Sequence, residues 1–240
     1  MSVAMGRSGY RGWRAHWRHG RYGMRCFYAV SAVFVLFLSA STPAVTLDTA
    51  RVRTVMHTEY GDAGVFVLQQ WFSMMDSARN MTEPDILRTV NDFFNQQVLW
   101  VDDLELWGEE DYWASPLQTL GQAAGDCEDY SIAKYITLRL LGVPNERLRL
   151  IYVNAQYQGS SQAHMVLGYY PTANAIPQNL DNINPNIVPA TQRTDLRPVF
   201  SFNDRGLWVG NSSTSAADPT ARVSRWGDVL QRMQQEGIQL

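Results

Sequence analysis

Cysteine and histidine are both scarce in this chain, with 2 and 4 copies among 240 residues. Cys26, His16 and His19 fall in an amino-terminal stretch unlike the rest, which leaves Cys127, His57 and His164 for the remainder. A single cysteine makes no internal disulfide, so stability has to come from packing and the thiol is left to be explained. The chain also lacks the C-x-x-C and H-x-x-x-H pairs that make a zinc site legible, so Cys127 and His164 as zinc ligands fit by residue type alone. No cluster of Lys or Arg occurs after residue 50, which argues against a nucleic-acid partner.

The first 44 residues carry Arg7, Arg11, Arg14, Arg18, Arg21 and Arg25 and no acid, then the 15-residue apolar run CFYAVSAVFVLFLSA, then small residues around SASTPA. Basic, apolar and small segments in that order read as a secretory signal, and the run is short of the ~20 residues a membrane span needs. Export is the expectation, with residues 1–44 a signal peptide or, alternatively, an amino-terminal membrane anchor. Met24 would open a tidier signal than Met1. Of the 20 basic and 23 acidic residues, 14 and 23 remain after this stretch, so the net charge moves from −3 to about −9. Residues 45–240 have the length and apolar content for one ordinary domain with a full core.

Within that domain, apolar spacing predicts a helix over residues 64–80, through Val65, Leu68, Trp71, Phe72 and Met75. A second follows, with Thr82 as cap, Pro84 in the first turn and Ile86, Val90, Phe93 and Phe94 on one face. Residues 98–114 mix tryptophan and acids without a period and read as an irregular segment whose tryptophans are either core or cleft. Ser115 and Pro116 then open a short helix. CEDYSIAKYITLRLLG is the clearest helix, with Ile132, Tyr135, Ile136 and Leu140 on one face and Gly142 to stop it. RLRLIYVNA and QAHMVLGYY alternate as strands, residues 171–190 read as a long turn region, PVFSFN and GLWVG as short strands, and SRWGDVLQRMQQ as a closing helix. Helices first and antiparallel strands after is an α+β order.

The stretch GDCEDY puts Cys127 in the first turn of the clearest helix. There the macrodipole and free N–H groups lower a thiol pKa, one ingredient of a nucleophile. A base is the second ingredient. His164, inside a strand, is a better candidate than His57 near the processed terminus. Asp181 in the turn NLDN offers a group to orient the imidazole. An inert buried thiol, a satisfied core histidine and an ordinary turn aspartate fit these residues equally well. Asp126, Glu128 and Asp129 flank the thiol, and their bare charge would raise its pKa against the dipole. Acids in a first helical turn can simply favour the dipole, by about 0.3–1 kcal/mol each. A bound Ca²⁺, which takes 6–8 oxygen ligands, would instead cancel their charge.

DYWASPLQTLGQAAGDCEDYSIAKYITLRLLGV, AHMVLGYY, LDN and DLRPVFSFNDRGLW, in this order between about Val98 and Trp208, resemble the bacterial transglutaminase-like cysteine proteinases, specifically the LapG-type periplasmic proteases. The resemblance implies a papain-like or transglutaminase-like α+β core with helices packed on an antiparallel sheet, and a catalytic triad of Cys127, His164 and Asp181. It implies calcium dependence through the acids of the motif, here Asp126, Glu128 and Asp129. It also implies a periplasmic endopeptidase that cuts a large repeat adhesin near its amino terminus, at a di-alanine site, and releases cells from a biofilm. An inner-membrane cyclic-di-GMP receptor would sequester the enzyme. Gln178 and Asn179 depart from the family's apolar approach to the aspartate. A transglutaminase-type acyltransferase would share the triad, and a non-catalytic binding module would share the fold.

Overall fold

The computed structural model describes residues 45–240 except 173–174, 211 and 213–214. The expected signal, residues 1–44, lies outside the described residues. Among the described residues no helix is long and apolar enough to cross a membrane.

In chain order the elements are β1 (Thr46–Leu47), α1 (Thr49–Ala78), α2 (Glu83–Gln97), β2 (Leu99–Trp100), α3 (Asp103–Leu106), α4 (Pro116–Gln122), β3 (Ala124–Gly125) and α5 (Cys127–Leu140). The second half holds β4 (Leu148–Tyr157), β5 (Ser160–Tyr169), β6 (Gln178–Leu180), β7 (Val188–Pro189), β8 (Leu196–Phe202), β9 (Leu207–Val209), α6 (Pro219–Arg222), α7 (Ser224–Glu236) and β10 (Ile238–Gln239). The α+β order is therefore as expected, and the segment 98–114 read as irregular holds the short β2 and α3. Helix α1 starts 15 residues before the predicted Gly64, because Gly61, at φ 61°, kinks it and shifts the phase of its apolar positions. The turn region also contains β6 and β7.

Local chemistry sets the helix ends. Ser115 and Gln118 form a reciprocal capping box at the start of α4. Thr82 occupies the cap position of α2, but its hydroxyl donates to the Asp85 carboxylate at 2.5 Å and leaves the backbone uncapped. Beyond α5 the chain turns back at Gly142, φ 89°, with Val143 N–H donating to Leu138 O and Gly142 N–H to Arg139 O. This is a glycine-dependent helix stop.

Six strands form one antiparallel sheet in the order β7-β6-β5-β4-β8-β9. Strands β4 and β5 are joined at Gln158 and Gly159, both at positive φ (50° and 81°), the two-residue turn that matches strand twist. Helix α5 packs on β5 and β4, and α2 and α4 pack on α5. Being covered on all sides, α5 is buried from Glu128 to Arg139 rather than along a single stripe. Leu148, Leu150, Met165 and Leu167 face the helices in the main core, which includes Trp71, Phe94, Tyr135, Phe202 and Trp226. On the opposite face Ile151, Val153, Val166 and Leu196 form a smaller cluster. The sheet is thus apolar on both sides at its centre, and it presents β5 beside the first turn of α5.

Candidate active site and acid cluster

Cys127 is the first residue of α5, after Asp126, whose side chain makes no capping bond. One turn on, Ser131 Oγ donates to the Met165 carbonyl at 3.1 Å, which fixes the start of α5 against β5 beside His164. Cys127 and His164 line the same cavity of about 500 Å³, together with Asp102, Asp111, Trp113 and Tyr152. Trp113 is therefore both core and cleft: it is buried, stacks on Phe202 at 5.8 Å and reaches the cavity. Trp100 in the same irregular segment is 61% exposed.

His164 and Asp181 meet because β5 and β6 are sheet neighbours, with Leu167 opposite Leu180. Both side chains are buried, and His164 Nε2 lies 2.9 Å from Asp181 Oδ1. That pairing leaves Nδ1 as the other ring nitrogen. The Ile183 N–H donates to Asp181 Oδ1 at 3.0 Å, and Arg193 Nη1 donates to Oδ2 at 2.6 Å. Burial alone would raise the Asp181 pKa, but the bond and charge of His164, the Ile183 N–H and Arg193 together hold it at about 2. His57 lies elsewhere, on the exposed face of α1, with Asp62 Oδ1 3.9 Å from its Nε2.

The thiol itself is in the charge environment that the sequence suggested. Cys127 Sγ donates to Glu128 Oε2 at 3.0 Å. Burial, then the carboxylates of Glu128 and Asp126, push its pKa well above the ordinary thiol value, while the Met165 N–H opposes the rise. Glu128 is pushed up to about 7, chiefly by burial.

A second cluster stands behind the first turn of α5. One carboxylate oxygen from each of Asp103, Asp126 and Asp129 lies within 4.8 Å of the other two. Asp103 Oδ2 accepts from the Tyr112 N–H at 2.6 Å, and Asp129 Oδ1 accepts from the Ala114 N–H at 2.8 Å. Their other oxygens, Asp103 Oδ1 and Asp129 Oδ2, and Asp126 Oδ1 are buried without a hydrogen-bond partner. Burial first, then neighbouring carboxylates, raise all three: Asp103 to about 7, with Asp126 the main charge beside it, Asp126 to about 9, with Glu128 and Asp102 beside it, and Asp129 well above the usual carboxylate range, with Asp126 and Asp103 beside it. Two backbone donors orient this group, and three orphaned acceptors are left over. Such a set suits a hard cation with oxygen ligands. Of the three acids read from the sequence, Asp126 and Asp129 belong to this cluster. Glu128 groups instead with Asp126 and Cys127. Asp103 escaped the sequence reading because the parallel pairing of β2 with β3, Leu99 opposite Ala124 and Trp100 opposite Gly125, is what brings its segment alongside GDCEDY.

The profile of the bacterial transglutaminase-like cysteine proteinases matches residues 69–209. Among solved structures, EGTA-treated LapG of Legionella pneumophila is 35% identical, with a TM-score of 0.68 over 77% of this chain and 96% of that one. Calcium-bound LapG of the same organism is 34% identical, with a TM-score of 0.65 over 77% of this chain and 98% of that one. No curated protein matches by sequence.

Proposed function

Given that the chain belongs to the bacterial transglutaminase-like cysteine proteinases and is a cysteine protease, we propose that it is a calcium-dependent periplasmic endopeptidase acting through a Cys127–His164–Asp181 triad. The observation that carries the triad is the buried His164 Nε2–Asp181 Oδ1 contact of 2.9 Å beside a cavity shared by His164 and Cys127. Asp181 holds Nε2, so Nδ1 takes the Cys127 proton, and the thiolate adds to the scissile carbonyl. The imidazolium then protonates the leaving amine, and water resolves the thioester with His164 as base. The Cys127 N–H, at the first position of α5, has no partner within the helix and is available to the developing oxyanion.

Asp103, Asp126 and Asp129 would hold calcium, with Glu128 bordering the site. The three orphaned oxygens support this, as does the calcium-bound state of the Legionella protein. When bound, the ion supplies positive charge that offsets the acids around the thiol.

The substrate proposed is the amino-terminal region of a large repeat adhesin, and the regulator an inner-membrane cyclic-di-GMP receptor that sequesters the enzyme. Both follow from the likeness to LapG. The test is incubation of the purified protein with an adhesin amino-terminal fragment, with calcium or EGTA, beside Cys127→Ala. Cleavage only by the wild type in calcium is expected. Cutting by the alanine variant, or labelled-amine incorporation without any cleavage, overturns the reading.

A further inference from the structure

The chain contains one lysine among its 240 residues, Lys134, and it is buried to 1% exposure. It lies on α5 seven residues after Cys127, two turns or about 10 Å along the axis. Its ammonium donates to Asn91 Oδ1 at 2.9 Å, Asn95 Oδ1 at 2.7 Å and the main-chain carbonyl of Asp181 at 3.2 Å. Those three bonds use its three donors. Asn95 Nδ2 adds a second bond to the Asp181 carbonyl at 2.9 Å, and Asn91 Nδ2 bonds the Pro185 carbonyl at 2.8 Å. The loop leaving β6 is therefore pinned at two carbonyls by residues of α2 and α5, while the Asp181 carboxylate is pinned separately by His164, Ile183 and Arg193.

This arrangement is a costly way to stabilise a fold. All three acceptors are neutral, and burial pushes the Lys134 pKa down to about 7, against the charges of Asp181 and Asp92. An apolar side chain of the same length, with apolar partners in place of Asn91 and Asn95, would fill the space without that desolvation cost. The ammonium does what an apolar chain cannot: it grips the main chain of Asp181.

We propose that Lys134 is a positioning residue for the reaction, fixing the Asp181 main chain relative to the helix that carries Cys127 so that the Asp181 carboxylate stays on His164 Nε2. This rests on the triad reading above. A main-chain shift of about 1 Å at Asp181 would degrade the imidazole's alignment, and such displacements cost up to about 100-fold in rate.

The test compares wild type, Lys134→Met, Lys134→Gln and Asp181→Ala in calcium, using a fluorogenic peptide with an Ala-Ala bond, iodoacetamide labelling of Cys127 across pH and thermal unfolding. Lys134→Met is expected to lower the unfolding midpoint, because buried acceptors lose their donor, while the folded variant holds KM within about 2-fold and loses about 10–100-fold in kcat. The pH profile of Cys127 labelling should shift with it. Lys134→Gln, which can still donate to the carbonyl, should recover part of kcat. Wild-type kcat in Lys134→Met, or a failure of both Lys134 variants to fold, overturns the proposal. Full activity in Asp181→Ala instead overturns the triad reading, whereas a crippled Asp181→Ala beside an intact Lys134→Met removes only the role of Lys134.

Discussion

Ser131 Oγ donates to the main-chain carbonyl of Met165 at 3.1 Å, tying α5 one turn after Cys127 to β5 one residue after His164. The nucleophile and its proposed base come from elements distant in sequence, and this buried bond is a direct tie between them. Ser131→Ala should destabilise the protein by about 1 kcal/mol, the net worth of one buried hydrogen bond. Activity should fall further than stability alone explains, since the helix start is then free to shift against the strand. Denaturant unfolding and kcat measured on the same preparation check this, and an unchanged kcat would count against the tie.

Asp103 is expected to matter to calcium as much as the acids of GDCEDY do. Asp103→Asn keeps an oxygen to accept from the Tyr112 N–H, so the loop after α3 should stay in place while one negative charge leaves the cluster. Calcium affinity depends on ligand charge count, and a loss of ~10-fold or more is expected, comparable with Asp129→Asn. Titration calorimetry measures it. Undiminished affinity in Asp103→Asn would remove this residue from the site.

Much of this architecture is legible in the sequence because it is written in local signals. The capping box of Ser115, the Gly142 stop and the alternation of β4 and β5 each need only a few neighbouring residues. Scarcity did similar work for the site, since one cysteine at a helix start and one strand histidine leave few candidates. The unread parts depend on tertiary geometry. Asp103 reaches Asp126 and Asp129 through two-residue strands too short to register as a pattern. Arg193, a lone base in a turn, acquires its meaning only from a 2.6 Å contact with Asp181. The first half of α1 is hidden because the kink at Gly61 breaks its period.

The Asp181 carboxylate should leave a mark on acid stability. Its folded pKa of about 2 lies below the unfolded value of 3.8, so the unfolded chain binds more protons between these values. The contribution is present above about pH 4 and is lost as pH falls through 2. For a shift of this size it is on the order of 2 kcal/mol. Asp181→Asn should flatten this part of the wild-type stability curve and lower kcat by ~10²–10⁴ through loss of the imidazole's orientation. Unfolding free energies between pH 2 and 5 check the first claim, and a wild-type slope in the variant would contradict it.

Thiol reactivity provides the test of how calcium and the nucleophile are linked. Without a cation, burial and the carboxylates of Glu128 and Asp126 hold the Cys127 pKa well above its ordinary value, opposing the dipole of α5. A divalent ion among Asp103, Asp126 and Asp129 reverses the sign of the local field, so the thiolate fraction at neutral pH should rise with calcium occupancy. Iodoacetamide labelling of Cys127 at pH 7 should therefore slow by ~10-fold or more in EGTA, since each pKa unit is a factor of ten in thiolate. Added Ca²⁺ should restore the rate. Mg²⁺ prefers a smaller, more regular shell and should restore little of it. Labelling in urea separates this effect from simple accessibility, because the unfolded thiol should react at one rate with or without calcium. Equal labelling of the folded protein in calcium and in EGTA would break the link between the acid cluster and the nucleophile, and calcium would then be left with a role in stability alone.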